Sequence, residues 1–347
     1  MKVLADYHHH DLWESLELLF TDRLGWELYR PIGMDWFEQG YWNHERKWHG
    51  DAIARQYLQS WGSDADGLRH DTSHPGRYHK LLTLDAARSA GIDIVISSLA
   101  HNHEGLARFA SEVGATFGLQ VGNVRFAAAD MAEDRWDLAA FGLVSGVMPV
   151  TPPKPHVVYH QEFALAPYEP PPRVDPLAVA SFVQCYPQDA PAYRWWQGTA
   201  ERAPEFAWRV YGAYGEAPLD QYAAGNIGVC ADVRTAMVES DIAWHAKRWS
   251  DGYGHVIHNW FAVGRPVFGF ESYYRDQLAG PLWVDGLTSI DIGRRDPDEI
   301  VRELRAIAND EEKHLRMSEA TAARFREIVN FDEEEQAIRH LFSQVLP

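Results

Sequence analysis

A chain of 347 residues with 46% hydrophobic content can bury a sizeable core, and a chain of this length usually forms about two domains. The formal net charge of −18 disfavours nucleic acid and anionic lipid as partners, because both attract basic surfaces. Two cysteines are too few for a disulfide framework. The sequence shows neither a signal peptide nor an apolar run of about 20 residues. We therefore expect a cytoplasmic protein without a membrane span.

The first half of the chain alternates predicted strands and helices. A short apolar run at 2–7 predicts a strand, and Asp11 is placed to cap a helix whose leucines recur at helical spacing. Residues 91–99 form an apolar run bounded by glycine, which is typical of a parallel strand covered on both faces. Residues 26–80 show no sustained period, so loops with short helices are expected there. Later elements are predicted as a helix at 104–113 and strands at 116–121, 138–144 and 156–159.

A proline-rich segment separates the two halves. Nine prolines fall between Pro149 and Pro176, a density that stiffens a connector and breaks helices, so the domain boundary is placed near 165–175. The second half repeats the alternation of strands and helices, which predicts a mostly parallel sheet. Its helical tail starts at Pro297, with Asp296 as the helix cap. The remaining predictions are strands at 179–186, 207–211, 242–244 and 267–270, and helices at 192–203, 233–239, 255–263 and 332–345.

One turn in the second half contains two glycines at a place where ligands bind. In parallel α/β sheets, ligands lie beyond the carboxyl ends of the strands, next to helix N-termini. Gly252 and Gly254 follow the strand predicted at 242–244 and let the backbone approach a ligand closely. The helix at 255–263 then offers its positive dipole end to a diphosphate. A simple tight turn is the alternative interpretation.

The sequence around this turn contains a longer pattern. It consists of Asp251-Gly252-Tyr253-Gly254, then Asn259, then Ala262-Val263-Gly264-Arg265-Pro266-Val267. The pattern resembles the C-terminal motif of the retaining GT-B glycosyltransferases known as group 1 glycosyl transferases. By that resemblance Asp251 contacts the transferred sugar and Asn259 holds the ribose of the nucleotide. Both stand where the family has glutamate, and the Asn259 amide makes a weaker, neutral hydrogen bond, with a solvent-facing Asn259 as the alternative.

The resemblance also implies an architecture. We expect an α/β protein of two Rossmann-like domains facing a cleft, in which residues 1–168 form the acceptor-side domain and residues 176–330 bind the nucleotide sugar. Residues 331–347 are expected to form a helix that packs back on the first domain. A basic residue should neutralise the departing diphosphate, with an ordinary surface charge as the alternative for each candidate. The donor-binding set is Arg194, Lys247, Gly252, Tyr253, Gly254, His255 and Asn259.

Histidines are concentrated in the first half, where ten of the 17 precede residue 104. His8, His9 and His10 follow one predicted strand, and His101 and His103 follow another, so neighbouring strands would bring them together. One imidazole, that of His101 or His103, is expected to act as a general base or to contact a substrate hydroxyl. Zinc binding by these imidazoles is one alternative, and local hydrogen bonding is another. The acceptor-side set consists of His8, His9, His10, Gln120 and Asn123.

The favoured function is transfer of a sugar from a nucleotide-diphosphate donor to a hydroxyl acceptor, with retention of configuration implied by the family. The acceptor is a small molecule, a glycan, a protein or a modified nucleic-acid base. The nucleotide sugar is a co-substrate, and we expect no cofactor or metal, because Asp64-Ala65-Asp66 does not extend an apolar strand as a metal-binding DxD loop would. Two alternatives remain open: a metal-dependent hydrolase that uses the histidine-rich half, and a non-catalytic nucleotide- or glycan-binding module.

Overall fold

The structure is a computed structural model that describes most of the chain. The described residues are 1–6, 10–32, 61–63, 69–71, 80–122, 136–146, 151–165, 167–182, 190–211, 226–228, 233–247 and 253–346. The chain divides into two compact units, Met1–Phe163 with Phe331–Pro347, and Ala164–Asn330. None of the helices that are described combines the length and the apolar character needed to cross a bilayer.

The first unit is built around a sheet whose central strands are parallel. Its strands are β1 (Lys2–Ala5), β2 (Glu27–Ile32), β3 (Trp61–Ser63), β4 (Arg69–Asp71), β5 (Lys80–Thr83), β6 (Ile94–Ser97), β7 (Thr116–Val121), β8 (Phe141–Val144) and β9 (His156–Val158). Among the described residues the order is β3-β4-β5-β2-β1-β6-β7-β8-β9, with antiparallel pairings only at β4. The winding therefore reverses between β1 and β6, which is the switch point of a doubly wound sheet.

Alternate residues of β1 face opposite sides of this sheet, so that a core forms on each side. Val3 and Ala5 pack with Leu12 on one side, whereas Leu4 packs with Leu106 on the other. The helices of this part of the chain are α1 (His10–Glu17), continued by a π-helix at Leu18–Arg23, α2 (Leu84–Ala90) and α3 (His103–Val113).

The second unit has a sheet of the same winding order. Its strands are β10 (Ala178–Phe182), β11 (Ala207–Tyr211), β12 (Asn226–Gly228), β13 (Ile242–His245), β14 (Val267–Gly269) and β15 (Ser289–Asp291). The described strands pair in parallel in the order β12-β11-β10-β13-β14-β15. The switch point lies between β10 and β13, and the carboxyl ends of these two strands are where a ligand is expected to bind.

The helices of the second unit surround a core rich in tryptophan. Trp196, Trp208 and Trp244 pack edge to face, with ring centroids 4.8 to 5.9 Å apart, and all three are buried. The Asp296 carboxylate accepts a hydrogen bond from the Glu299 backbone N–H in a capping box, which confirms the predicted helix cap. The helices are α4 (Ala190–Arg202), α5 (Val233–Val238), α6 (His255–Ala262), α7 (Glu271–Tyr274), α8 (Pro297–Asn309) and α9 (Glu311–Ile328).

The last helix, α10 (Phe331–Val345), belongs to the first unit although it follows the second unit along the chain. Phe342 is buried in the core of the first unit and contacts the rings of Phe20, Trp26 and Phe141, with centroids 5.2 to 6.0 Å apart. The predicted return of the C-terminal helix to the first domain is confirmed.

Three predictions for the first unit need correction. The helix α1 begins at His10, so Asp11 lies inside the helix rather than at its cap. Residues 27–32 form the strand β2, which is hydrogen-bonded to β1 and β5, although loops with short helices were expected there. The charged Arg30 and the neighbouring Pro31 interrupt the apolar run that marks the other central strands, yet Arg30 is fully buried. The strand predicted from residue 138 begins later, at Phe141.

Candidate functional site

The carboxyl edge of the second sheet carries a basic residue and a helix N-terminus at its switch point. Lys247 follows the end of β13 by two residues and is half-buried. The helix α6 begins just after Gly254, whose φ of 79° and ψ of 59° lie in the left-handed region that suits glycine. Gly254 is the N-cap, and no described side chain caps the helix. The N–H groups at a helix N-terminus are a common binding site for anions. This arrangement suits a diphosphate.

A stack of aromatic rings of the second unit supports the turn before α6. The Tyr253 ring is parallel to the His258 imidazole, with centroids 4.1 Å apart, and it meets the edge of His255 at 4.8 Å. His258 Nδ1–H donates to the Gly254 carbonyl oxygen at 2.9 Å. Tyr253 is only 2% exposed, so its side chain packs under the turn. His258 was not recognised from the sequence, because nothing in the spacing of residues marks a histidine that supports a neighbouring turn.

Asn259 lies on α6, one turn after His255. It is half-buried, and its Nδ2 donates to the His255 carbonyl oxygen at 2.9 Å. This bond leaves the amide oxygen of Asn259 as an acceptor that no described residue engages. A ribose hydroxyl can donate to such an oxygen.

The other predicted donor residues are described to different extents. Arg194 is exposed on α4, the helix that follows β10. Asp251 and Gly252 lie outside the described residues. The structure thus brings Lys247 and the start of α6 to the switch point.

The arginine of the sequence pattern has a structural role. Arg265 is fully buried, and its guanidinium donates to the carbonyl oxygens of Ser240, Val238, Glu169 and Val263 at 2.6 to 2.9 Å. Burial lowers the pKa of Arg265 to about 10, which leaves it charged at neutral pH. Lysine, with three donors on one atom, cannot reproduce this fork of hydrogen bonds.

At the switch point of the first sheet lies a buried carboxylate. Asp6 directly follows β1 and is fully buried. It accepts hydrogen bonds from the Ser97 hydroxyl, from the Ser98 backbone and hydroxyl, and from Asn102 Nδ2. Burial raises the pKa of Asp6, and these hydrogen bonds oppose that rise. Asp6 was not predicted from the sequence, although an acidic residue directly after a buried strand is a signal for such a site.

The predicted histidines follow the adjacent strands β1 and β6. His8, His9 and Asn123 lie outside the described residues. His10 starts α1, and His101 lies in a 3₁₀ turn at Ala100–Asn102, with the backbone of each described. His103 is the first residue of α3 and is 2% exposed. In the part of the chain that is described, no three His, Cys, Asp or Glu side chains lie close enough to hold a metal ion.

Gln120 takes part in a buried polar network at the carboxyl ends of β7 and β8. Its Nε2 donates to the Ser145 hydroxyl at 2.9 Å, and Gln161 Nε2 donates to the same oxygen at 2.5 Å. Gly122 lies beside the network, where an added Cβ would come within 2.7 Å of Gln161 Nε2. Because Gln120 is 1% exposed, its amide group is used for hydrogen bonds within this network.

Comparison with known proteins gives matches of fold without close sequence similarity. No family model and no curated protein matches the chain. Anabaena HepE in complex with UDP-glucose is similar with a TM-score of 0.68 at 12% identity, over 99% of this chain and 100% of that chain. An α-glucosyltransferase in complex with UDP and a 13-mer DNA containing an HMU base has a TM-score of 0.66 at 8% identity, over 99% of both chains.

A third structure, sucrose-phosphate synthase from Thermosynechococcus elongatus, has a TM-score of 0.58 at 10% identity over 99% of this chain and 98% of that one. The chain has the GT-B fold. The fold predicted from the pattern of residues 251–267 is therefore confirmed, with a doubly wound sheet in each unit of this GT-B protein. At these identities the comparisons establish the fold, and activity has to be argued from the residues.

Proposed function

We propose that this GT-B protein is a glycosyltransferase that moves a sugar from a nucleoside diphosphate donor to a hydroxyl acceptor. The observation that carries the proposal is the start of α6 at Gly254, which lies in the left-handed conformation and receives no side-chain cap from the described residues, together with Lys247 after the neighbouring strand β13. Two similar structures hold UDP or UDP-glucose, which supports a donor of this class.

In the proposed reaction the second unit stabilises the leaving group. As the bond between sugar and diphosphate breaks, negative charge grows on the phosphate oxygens, and the N–H groups of α6 and the Lys247 ammonium offset it. Arg194 is the second candidate for this role. The amide oxygen of Asn259 accepts a hydrogen bond from a ribose hydroxyl, and Asp251 contacts the transferred sugar. No metal ion is needed for this charge balance.

The first unit is proposed to hold the acceptor. His101 lies in the turn that follows β6, at the switch point of the first sheet, where ligands of doubly wound sheets bind. Its imidazole is the proposed contact for a substrate hydroxyl. Retention of configuration is part of the proposal and rests on the sequence pattern at 251–267.

The proposal is tested by incubating the purified protein with a panel of nucleotide sugars and measuring released nucleoside diphosphate, with mass spectrometry of candidate acceptors. Lys247→Ala should lower turnover about 100- to 1,000-fold, as removal of a group that stabilises transition-state charge does. Lys313→Ala is the control, because it removes the same charge from an ion pair with Glu303 on the helices α8 and α9. Equal turnover by the two variants would contradict the role of Lys247.

The same assay separates the proposal from its alternatives. Turnover should persist in excess chelator and in an Asp64→Ala variant. Loss of turnover in chelator, restored by manganese or magnesium, would move the donor site to a metal-binding loop. Nucleotide binding without turnover of any donor would favour a binding module.

A further inference from the structure

We infer that Asp6 is a positioning residue that fixes the turn carrying His101. This inference rests on the proposed function, because it assigns Asp6 a part in presenting the acceptor-side histidine. Asp6 lies at the carboxyl end of β1, and the turn follows β6, the adjacent strand across the switch point of the first sheet.

The hydrogen bonds of Asp6 reach both sides of His101. One carboxylate oxygen, Oδ1, accepts from the backbone N–H of Ser98 and from its hydroxyl at 3.0 Å. The other oxygen, Oδ2, accepts from the Ser97 hydroxyl at 3.1 Å and from Asn102 Nδ2 at 2.8 Å. One carboxylate thereby joins the residues before and after the histidine.

Two backbone hydrogen bonds among the described residues close the turn itself. Its backbone is closed by the Asn102 N–H, which donates to the Leu99 carbonyl oxygen at 2.8 Å, and by the His103 N–H, which donates to Ala100. A 3₁₀ turn of three residues holds its shape weakly because its hydrogen bonds are poorly aligned. The four donors that Asp6 engages therefore determine where the backbone of His101 lies.

Only a carboxylate side chain at position 6 offers an acceptor oxygen to all four donors. Burying an ionised carboxylate destabilises a protein unless hydrogen bonds compensate, and here four donors converge on two oxygens. An asparagine at position 6 has one acceptor oxygen, and its NH₂ group would face donors in place of the second oxygen. Asp6→Asn thus keeps the size of the side chain, but its NH₂ group places donors against donors in half of the contacts.

The experiment measures transfer kinetics of Asp6→Asn, His101→Ala and the double variant. We expect Asp6→Asn to lower kcat by up to about 100-fold, because a displacement of about 1 Å at a reacting group can cost this much. The KM for the donor and the affinity for UDP should stay unchanged, since the donor is assigned to the second unit. In the His101→Ala background, Asp6→Asn should have no further effect, because a residue that acts through His101 is not additive with it.

Hydrogen–deuterium exchange gives a readout that does not depend on activity. Peptides that cover 97–103 should exchange faster in Asp6→Asn than in the wild-type protein, with the second unit unchanged. Asn102→Ala, which removes one of the four donors, should show the same pattern more weakly and serves if Asp6→Asn does not fold.

The outcomes distinguish the inference from the proposed function. A wild-type protein that neither binds nor turns over a nucleotide sugar contradicts the proposed function. An active wild-type protein whose Asp6→Asn and Asn102→Ala variants keep kcat contradicts the positioning role. The role is equally contradicted if Asp6→Asn lowers kcat as much in the His101→Ala background as in the wild type.

Discussion

Gly254 is the residue on which the shape of the proposed diphosphate site depends. Its φ of 79° costs any other residue about 1–2 kcal/mol, so Gly254→Ala should lower the free energy of unfolding by that amount. The same substitution should weaken UDP binding about tenfold, because relief of the strain tilts the N–H groups of α6. Urea denaturation and calorimetric titration measure the two effects.

Gly286→Ala is the matched control for Gly254→Ala. Gly286 has a φ of 80°, and no atom lies within 4 Å of an added Cβ, so its substitution carries the cost of the backbone strain alone. We expect a loss of stability of about 1–2 kcal/mol with unchanged affinity for UDP. If both variants weaken UDP binding equally, the loss of affinity in Gly254→Ala comes from lower protein stability and not from the shape of the diphosphate site.

His314 predicts a pH dependence of the stability of the second unit. It is fully buried, its Nε2–H donates to the Asp241 carbonyl oxygen at 2.9 Å, and its Nδ1 accepts from the Arg173 guanidinium at 3.3 Å. Burial lowers its pKa below the usual 6.5, and the charges of Arg173 and Arg265 act in the same direction against the attraction of Asp241. The imidazole is therefore neutral in the folded protein at pH 7.

Because the unfolded chain takes up this proton first, the free energy of unfolding should fall as the pH drops below about 6.5 toward the lower pKa of the folded state. Above pH 6.5 the contribution of His314 should be constant. His314→Gln keeps one donor and one acceptor without titrating, so its urea midpoints should fall less steeply between pH 7 and 5. Parallel pH profiles for the two proteins would count against this account.

At the scale of elements, a strand could be located from the sequence when its apolar residues formed a continuous run. The strands β6 and β7 consist mostly of apolar residues and were located from the sequence, whereas Arg30 and Pro31 hid β2. The Asp296 cap was found because its partners are three residues away. Asp6 bonds to residues about 90 positions later, and such a pairing is visible only after the sheet has formed.

The helix α10 shows how an element can stabilise a unit from which it is distant in sequence. Phe342 fills the core of the first unit among Phe20, Trp26 and Phe141. Phe342→Ala should lower the free energy of unfolding by about 3–5 kcal/mol, as large-to-small changes of buried aromatics do. Ser343→Ala, at the next and exposed position of the helix, should change it by less than about 0.5 kcal/mol. A loss below 1 kcal/mol for Phe342→Ala, measured by urea denaturation, would show that α10 is not needed by the first unit.

At the scale of the whole molecule, the two sheets repeat one winding order with different chemistry at their switch points. The first sheet places a hydrogen-bonded carboxylate there, and the second places a lysine and a helix N-terminus. A lysine and a helix N-terminus suit an anionic ligand, whereas the Asp6 carboxylate is fully buried and engaged by donors of its own unit. This asymmetry supports the assignment of the donor to the second unit and of the acceptor to the first.

Hydrogen–deuterium exchange with and without UDP or GDP tests that assignment most directly. Ligands that bind only the folded state stabilise it, by about 2.7 kcal/mol at a concentration 100 times the Kd, so the melting temperature should rise with nucleotide. Protection should appear in peptides covering 246–262, and Lys247→Ala should reduce it while Lys313→Ala should not. No rise in melting temperature at millimolar nucleotide, or protection confined to peptides of the first unit, would contradict a nucleotide-sugar site on the second sheet.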